Sequence, residues 1–240
     1  MQYFRYRMAA DLSANSDVLE IGCGSGMGLS YLGERARTVV GGDYTMGLLR
    51  EARTQLPATG LVRMDAQHLP FRDQSLDVVL MLEMIYYVED QNAAFAECRR
   101  VLRPGGALMV CVPNPERPDF NPSPFSTRYP DAAGLAALLE RTGFEPRVFA
   151  AFPAEAASSR DRFLAPVRHF AVRYHLIPSS MRAKAMVKRV LYGRLPTLGA
   201  VHEGMGSYSE PVQLDAARGP HRGFKNLYAV GMVSSKLASR

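Results

Sequence analysis

The chain has 240 residues, 47% apolar and 22% charged, with a net charge of +6, a composition that excludes a disordered or collagen-like chain and suffices for one sizeable core. No stretch is long and apolar enough to cross a bilayer, since the best run, Val78 to Leu82, is broken by Glu83, and the opening Met1-Gln-Tyr-Phe-Arg-Tyr-Arg lacks the apolar run of a signal peptide. The three cysteines, Cys23, Cys98 and Cys111, include no C-x-x-C pair, which excludes a disulfide framework and leads us to expect a cytoplasmic protein.

In chain order, residues 2–12 can form a short helix with Tyr3, Phe4, Arg7 and Met8 at helical spacings. A regular alternation follows. Strands are expected at 17–21 (DVLEI), 38–42 (TVVGG), 61–64 and 76–82 (LDVVLML), with helices at 26–36 and 45–55 between the first three. The nearly unbroken apolar run at 76–82 is what a strand covered on both faces requires. Asp90 can cap a helix at 93–102, which Pro104-Gly105-Gly106 stops before a strand at 107–112. Six prolines between 113 and 130 demand a loop. Asp131 then caps a helix to about residue 142, Gly143 ends it, and 147–152 and 227–233 read as strands. Strand-helix alternation with short connections predicts parallel strands joined by right-handed crossovers. The stretch 153–223 interrupts this pattern with helical patterns at 160–175 and 180–192, and reads as an insertion over one end of the sheet.

The first strand runs into Val18-Leu-Glu-Ile-Gly-Cys-Gly-Ser-Gly26, with a further glycine at 28 that reads as helix packing. A glycine turn after the first strand is where doubly wound folds bind nucleotides. The dinucleotide pattern G-x-G-x-x-G fails in every register: its third position falls on Met27, Leu29 or Tyr31. No Gly-Lys-Ser/Thr of a P-loop exists either. A nucleoside without phosphates is the better guest. Asp43, about 20 residues past the first glycine, can accept from both ribose hydroxyls, and Asp65 can accept from an adenine amino group. Glu20, Asp43 and Asp65 thus meet one edge of the sheet, although Glu20 and Asp65 also have purely structural readings.

The segments VLEIGCGSG (18–26), GGDYTMGLL (41–49), RMDAQHLPFRDQSLDVVLMLEMIYYVED (63–90) and VLRPGGALMV (101–110) together resemble the class I S-adenosylmethionine-dependent methyltransferases of the small-molecule type. The resemblance covers about residues 15–152 and, weakly, the last strand. It implies an α/β fold with a doubly wound, mostly parallel, seven-stranded sheet. Residues 1–152 and 224–240 would form the cofactor-binding core, and 153–223 a helical insertion serving as substrate lid. The implied cofactor is S-adenosyl-L-methionine, with S-adenosyl-L-homocysteine as product. Gly22, Gly24 and Gly26, with Cys23 among them, would pass its methionine part, and Glu20 would orient that loop or bind the amino group. Asp43 would hold the ribose, with Tyr44 and Leu48 on the adenine side. Asp65, Ala66 and Gln67 would meet the adenine rim, and Glu83 would lie near the sulfonium and the acceptor. Many relatives have a longer N-terminal helical lid than the roughly fifteen residues before the first strand here, so either the insertion at 153–223 would serve as the lid or the start is trimmed.

Methyl transfer from a sulfonium is an in-line displacement with a good leaving group, so orientation alone can supply roughly 7–11 kcal/mol. Tyr86 and Tyr87 could offer aromatic faces to the cation. An oxygen acceptor needs a base with a pKa near 7, and His202, beside Glu203 in a glycine-rich stretch, is the candidate histidine. The histidines lack metal-ligand spacing, so metal-free transfer is expected. Residues 158–240 hold 14 Lys and Arg against 4 Asp and Glu. That basic third predicts, in this order, a small acidic metabolite as acceptor, peripheral contact with anionic lipid, or RNA. The absence of an aromatic-rich basic stripe argues against nucleic acid. Two rival readings are a catalytically inactive binding or scaffold protein on the same fold, and a nicotinamide oxidoreductase, which the failed fingerprint disfavours.

Overall fold

The computed structural model describes residues 1–154 and 200–235. The chain opens with α1 (Gln2–Leu12), β1 (Asp17–Ile21), α2 (Leu29–Gly33), β2 (Thr38–Asp43), α3 (Met46–Gln55), β3 (Gly60–Arg63) and β4 (Leu76–Leu82). A 3₁₀ turn (Ile85–Tyr87), α4 (Gln91–Val101), β5 (Leu102–Pro113), α5 (Ala132–Arg141), β6 (Phe144–Pro153), β7 (Val212–Leu214) and β8 (Phe224–Val233) follow. The strands form one sheet in the order β3-β2-β1-β4-β5-β8-β6-β7. β3, β2, β1, β4 and β5 run parallel, whereas β8 inserts antiparallel between β5 and β6.

Alternation along β4 sorts the core into two layers. Val78, Leu80 and Leu82 point to the face covered by Phe4, Tyr6 and Ala10 of α1 and Tyr31 and Leu32 of α2. Val79 and Met81 point to the opposite face, under Phe95 and Cys98 of α4 and Leu135 and Leu139 of α5. With helices on both faces every residue of the run can be apolar.

Three expectations change. The sheet has eight described strands, not seven: β7, only three residues long, pairs with β6 at the edge, from within the stretch read as insertion. The helix expected at 26–36 shortens to Leu29–Gly33, because Gly26 sits at φ +80° outside helical space. Pro104-Gly105-Gly106 does not precede the fifth strand but lies inside it. Leu76 faces Leu102 while Val78 faces Ala107, so Arg103 to Gly106 loop out as a bulge. Asp90 and Asp131 cap α4 and α5 as expected, accepting from the Ala93 and Gly134 N–H groups. The helical patterns at 160–175 and 180–192 fall outside the described residues. No helix among the described residues is long and apolar enough to cross a membrane.

Candidate functional site

The parallel strands all deliver their C-terminal ends to one edge, where doubly wound sheets place ligands. Beyond β1 the chain turns through Gly22, Gly24 and Gly26, each at positive φ. At Gly22 the turn admits no side chain: an added Cβ would lie 2.7 Å from Met84 Cβ. That contact presses the glycine loop directly against the segment leaving β4. The Gly22 and Cys23 N–H groups donate to the Gly42 carbonyl at 2.7 and 3.0 Å, tying the loop to β2. Gly28 has a separate packing role, because an added Cβ would fall 1.9 Å from the Tyr6 ring of α1.

Asp43, at the end of β2, accepts from the Gly24 N–H at 2.9 Å and the Thr45 N–H at 2.7 Å, one bond to each carboxylate oxygen. Each oxygen keeps a lone pair for a ligand. Asp65 accepts from the Gln67 N–H at 2.9 Å and its side-chain amide at 3.1 Å. The backbone bond from Gln67, more than any other influence, holds its carboxyl below the ordinary value. Gln67 in turn accepts from the Asp90 N–H at 3.0 Å, which anchors it to the cap of α4.

Glu83 lies one residue past β4, in left-handed backbone at φ +63°. Its Oε1 accepts from Asn226 Nδ2 of β8 at 2.9 Å and from the Cys111 thiol of β5 at 3.6 Å, and its Oε2 accepts from the Tyr86 hydroxyl at 3.1 Å. Arg5 of α1 stands 3.8 Å from the same Oε1. Burial pushes the Glu83 carboxyl above its ordinary value, against the pull of Arg5 and the three donors.

These groups border one cavity of about 630 Å³, lined by Gly22, Gly24, Asp43, Tyr44, Leu48, Asp65, Ala66, Gln67 and Glu83 of the expected set. Tyr87, read as an aromatic face for the cation, also lines it, and Thr45, Met64, Met84 and Glu89, which sequence reasoning did not assign to the cofactor, complete much of the wall. Asp43, Asp65, Glu83 and Glu89 are its four charged lining residues among those described, and all four are acidic. A wall of that sign favours a cationic guest and opposes phosphates. A nucleoside carrying a sulfonium and an ammonium fits this donor and acceptor set.

The remaining expected residues sit elsewhere. Glu20 is buried under α1, accepting from the Tyr6 hydroxyl at 2.6 Å, and its Oε2 has no partner among the described residues. Burial raises its carboxyl to about 7. Cys23 packs with Leu29 and Leu49, and Gly26 lies against Leu56 and Ala52. Tyr86 is buried behind Glu83, its ring stacked on Tyr129 at 4.3 Å. His202 is exposed, with Nδ1 3.1 Å from the Glu203 carbonyl, and does not line the cavity. Its neighbour Glu203 instead clamps α1 to α2, accepting from the hydroxyls of Tyr3 and Tyr31. Arg5 and Asn226 were missed. Asn226 falls just before the strand expected at 227–233, beside Lys225, so no sequence signal marked it.

Comparison with known proteins agrees with this geometry. Residues 19–110 match the model of a methyltransferase domain. A probable S-adenosylmethionine-dependent methyltransferase of Mycolicibacterium smegmatis is 40% identical over 146 residues, 58% of this chain and 56% of that protein. The phthiotriol/phenolphthiotriol dimycocerosates methyltransferase 1 of Mycobacterium ulcerans is 42% identical over 115 residues, 45% of this chain and 41% of that one. The chain thus spans about half the length of the curated relatives it matches. Among solved structures, an S-adenosylmethionine-dependent methyltransferase from Archaeoglobus fulgidus shares the fold, with a TM-score of 0.62 at 15% identity over 96% of this chain and 92% of that one. The glycine loop and the acidic cavity thus lie in a segment that matches a methyltransferase domain and is similar to S-adenosylmethionine-dependent methyltransferases, on a fold that such enzymes share.

Proposed function

We propose that this chain transfers the methyl group of S-adenosylmethionine to an oxygen or nitrogen of a small-molecule acceptor. The observation that carries the reading is the acidic cavity built on Gly22, Gly24, Asp43 and Asp65. When bound, the cofactor supplies a methyl group on a positively charged sulfur that departs as a neutral thioether. The chain's own residues bind and orient. Asp43 holds the ribose, with Tyr44 and Leu48 beside the base. Asp65, Ala66 and Gln67 meet the adenine rim. The order of the strands supports a direction: with base and ribose over β3 and β2, the sulfur end would run toward β1 and β4, where Glu83 stands. A relative named for phthiotriol and phenolphthiotriol dimycocerosates supports a small-molecule acceptor.

The basic segment that would favour an anionic acceptor or a lipid surface lies mainly within 155–199, outside the described residues, so the stretch 153–223 enters the reading as the acceptor-choosing part on its charge alone. A scaffold role would need neither the lone pairs left open on Asp43 nor the constrained backbone at Glu83.

The test is isothermal titration of the chain with S-adenosylmethionine and S-adenosylhomocysteine, repeated with Asp43→Ala. Micromolar binding is expected, weakened on the order of a hundredfold in the variant, since each hydrogen bond to a carboxylate contributes about 1.5–3 kcal/mol. Absence of binding to either compound by folded wild-type chain would overturn the reading.

A further inference from the structure

At Glu83, a wall residue of the cavity, three side chains from distant parts of the sequence meet, Arg5 and Asn226 not themselves lining it. Arg5 comes from α1, Glu83 from the end of β4, and Asn226 from β8. Arg5 and Asn226 converge on one atom, Glu83 Oε1, at 3.8 and 2.9 Å. Both are unfinished. Asn226 is 2% exposed, yet its Oδ1 has no hydrogen-bond partner among the described residues, and neither has the buried Nε of Arg5. A buried polar atom left without a partner costs free energy and calls for an explanation. The amide orientation is fixed by Glu83, because turning Asn226 over would set its oxygen against a carboxylate oxygen.

Glu83 is also unfinished. A carboxylate offers about four acceptor sites. Asn226 and the Cys111 thiol engage Oε1, while among the described residues Oε2 receives only the Tyr86 hydroxyl. One site on Oε2 remains, and Glu83 is part of the cavity wall. The residue occupies left-handed backbone at φ +63°, a conformation that side chains other than glycine hold only where the surroundings impose it.

We propose that Glu83 is the catalytic base for a hydroxyl acceptor, and that Arg5 and Asn226 are the residues that hold its carboxylate and engage a polar group of that acceptor. This rests on the cofactor reading above. In the step, the acceptor oxygen forms a bond to the methyl carbon as the carbon–sulfur bond breaks. Sulfur keeps the electron pair and becomes a neutral thioether, and the hydroxyl proton passes to Glu83 Oε2. The carboxylate and the sulfonium lose their charges together, so the net charge of the site does not change and the Arg5 cation is left beside a neutral carboxyl. The unpaired Arg5 N–H and Asn226 oxygen suit a second hydroxyl on the acceptor, which can both accept and donate. The titratable groups facing Glu83 are Arg5 from α1, Tyr86 from the 3₁₀ turn, Cys111 from β5 and Tyr228 from β8. Only Arg5 among them is charged near neutrality.

The test uses the whole chain, Glu83→Gln and Asn226→Leu. Titration with S-adenosylmethionine and S-adenosylhomocysteine at pH 5.5 and 8 reads whether Glu83 faces the sulfonium end. In the wild type the preference for the charged cofactor should be at least threefold larger at pH 8, and in Glu83→Gln it should not change with pH. Formation of S-adenosylhomocysteine is then followed with two matched panels, one of phenols, alcohols and 1,2-diols, the other of primary and secondary amines. We expect turnover with the oxygen panel, rising with pH, lost at least a hundredfold in Glu83→Gln, and with a raised acceptor KM in Asn226→Leu. A pH-independent cofactor preference in the wild type, turnover confined to amines, or cofactor binding with no turnover of the oxygen panel would each overturn the inference. Failure of the cofactor reading is distinct, because then neither cofactor nor product binds the wild type at all.

Discussion

β1 and β4 each carry an acidic residue toward either end, and the two ends treat them in opposite ways. At the N-terminal ends, Asp17 and Asp77 are surrounded by partners. Arg37 reaches Asp17 at 2.6 Å and Asp77 at 2.8 Å, Arg103 reaches Asp77 at 2.7 Å, and the Asp17 N–H donates to Asp77 at 2.8 Å. Hydrogen bonds from Arg37 first, then Thr38, hold the Asp17 carboxyl far below its usual range. For Asp77, burial pulls upward, but the Asp17 N–H and Arg103 outweigh it and the net shift is down. At the C-terminal ends, burial wins instead: Glu20 is raised to about 7 and Glu83 is raised as well. One edge completes its hydrogen bonds within the protein, while the other leaves Glu20 Oε2 and Asn226 Oδ1 without partners among the described residues. Unfinished polar groups concentrated at one end of a sheet are what a binding edge needs and a structural edge avoids.

The largest blow to the C-terminal edge would come from Gly22→Ala. The new methyl would lie 2.7 Å from Met84 Cβ in a backbone at φ +75°. Strain and overpacking together should destabilise the fold by roughly 2–5 kcal/mol. Relief requires the segment bearing Glu83 to move, so titration with S-adenosylmethionine on the remaining folded protein should show no measurable binding. Retention of wild-type affinity would mean that the loop and the β4 segment are independent.

The two edges should also be separable by pH. A carboxyl raised from 4.5 to about 7 keeps its proton in the folded state while the unfolded state ionises, so stability falls as pH rises through that window. By linkage the Glu20 contribution is up to about 3 kcal/mol between pH 5 and 8, and Glu83 adds in the same direction. Asp17 and Asp77 have the opposite sign: their stabilisation is complete above the ordinary aspartate value and is lost on acidification below about pH 4. Urea unfolding at pH 5 and 8 checks this. Glu20→Gln should remove much of the decline, and a wild type that gains stability over that interval would contradict the burial argument.

How much of this was legible in the sequence depends on how far apart the cooperating residues lie. Gly22, Asp43 and Asp65 could be placed because each follows its own strand, and parallel strands share an edge. Glu83, just past the fourth strand, was expected at the same edge, but its partners Arg5 and Asn226 were not. Their meeting depends on β8 inserting between β5 and β6 and on α1 crossing the glycine-loop side of the sheet, neither of which leaves a periodic mark. Two local signals were misread for physical reasons. Pro104-Gly105-Gly106 has the composition of a turn, but a bulge uses the same residues, and here it carries Arg103 to Asp77. β7 is too short to show alternation. His202 was chosen for its chemistry, whereas the exposed position it occupies is set by Glu203 anchoring the chain to Tyr3 and Tyr31.

Asp77→Asn sharpens the comparison with the smallest expected effect. The substitution keeps one oxygen acceptor and the volume, and removes the charge that Arg37 and Arg103 share with Asp17. Those arginine side chains are 55% and 37% exposed, so their pairs with Asp77 are strongly screened. The less exposed bond from the Asp17 N–H is the larger loss whenever the amide oxygen turns away from it. We expect a destabilisation of about 1 kcal/mol in urea unfolding. The affinity for S-adenosylmethionine should stay within about twofold of wild type, because the bound ligand would touch only the far ends of the same strands and well-separated sites combine additively. A tenfold change in that affinity would show that strain at one edge reaches the other through β1 and β4, and the division of labour between the edges would then fail.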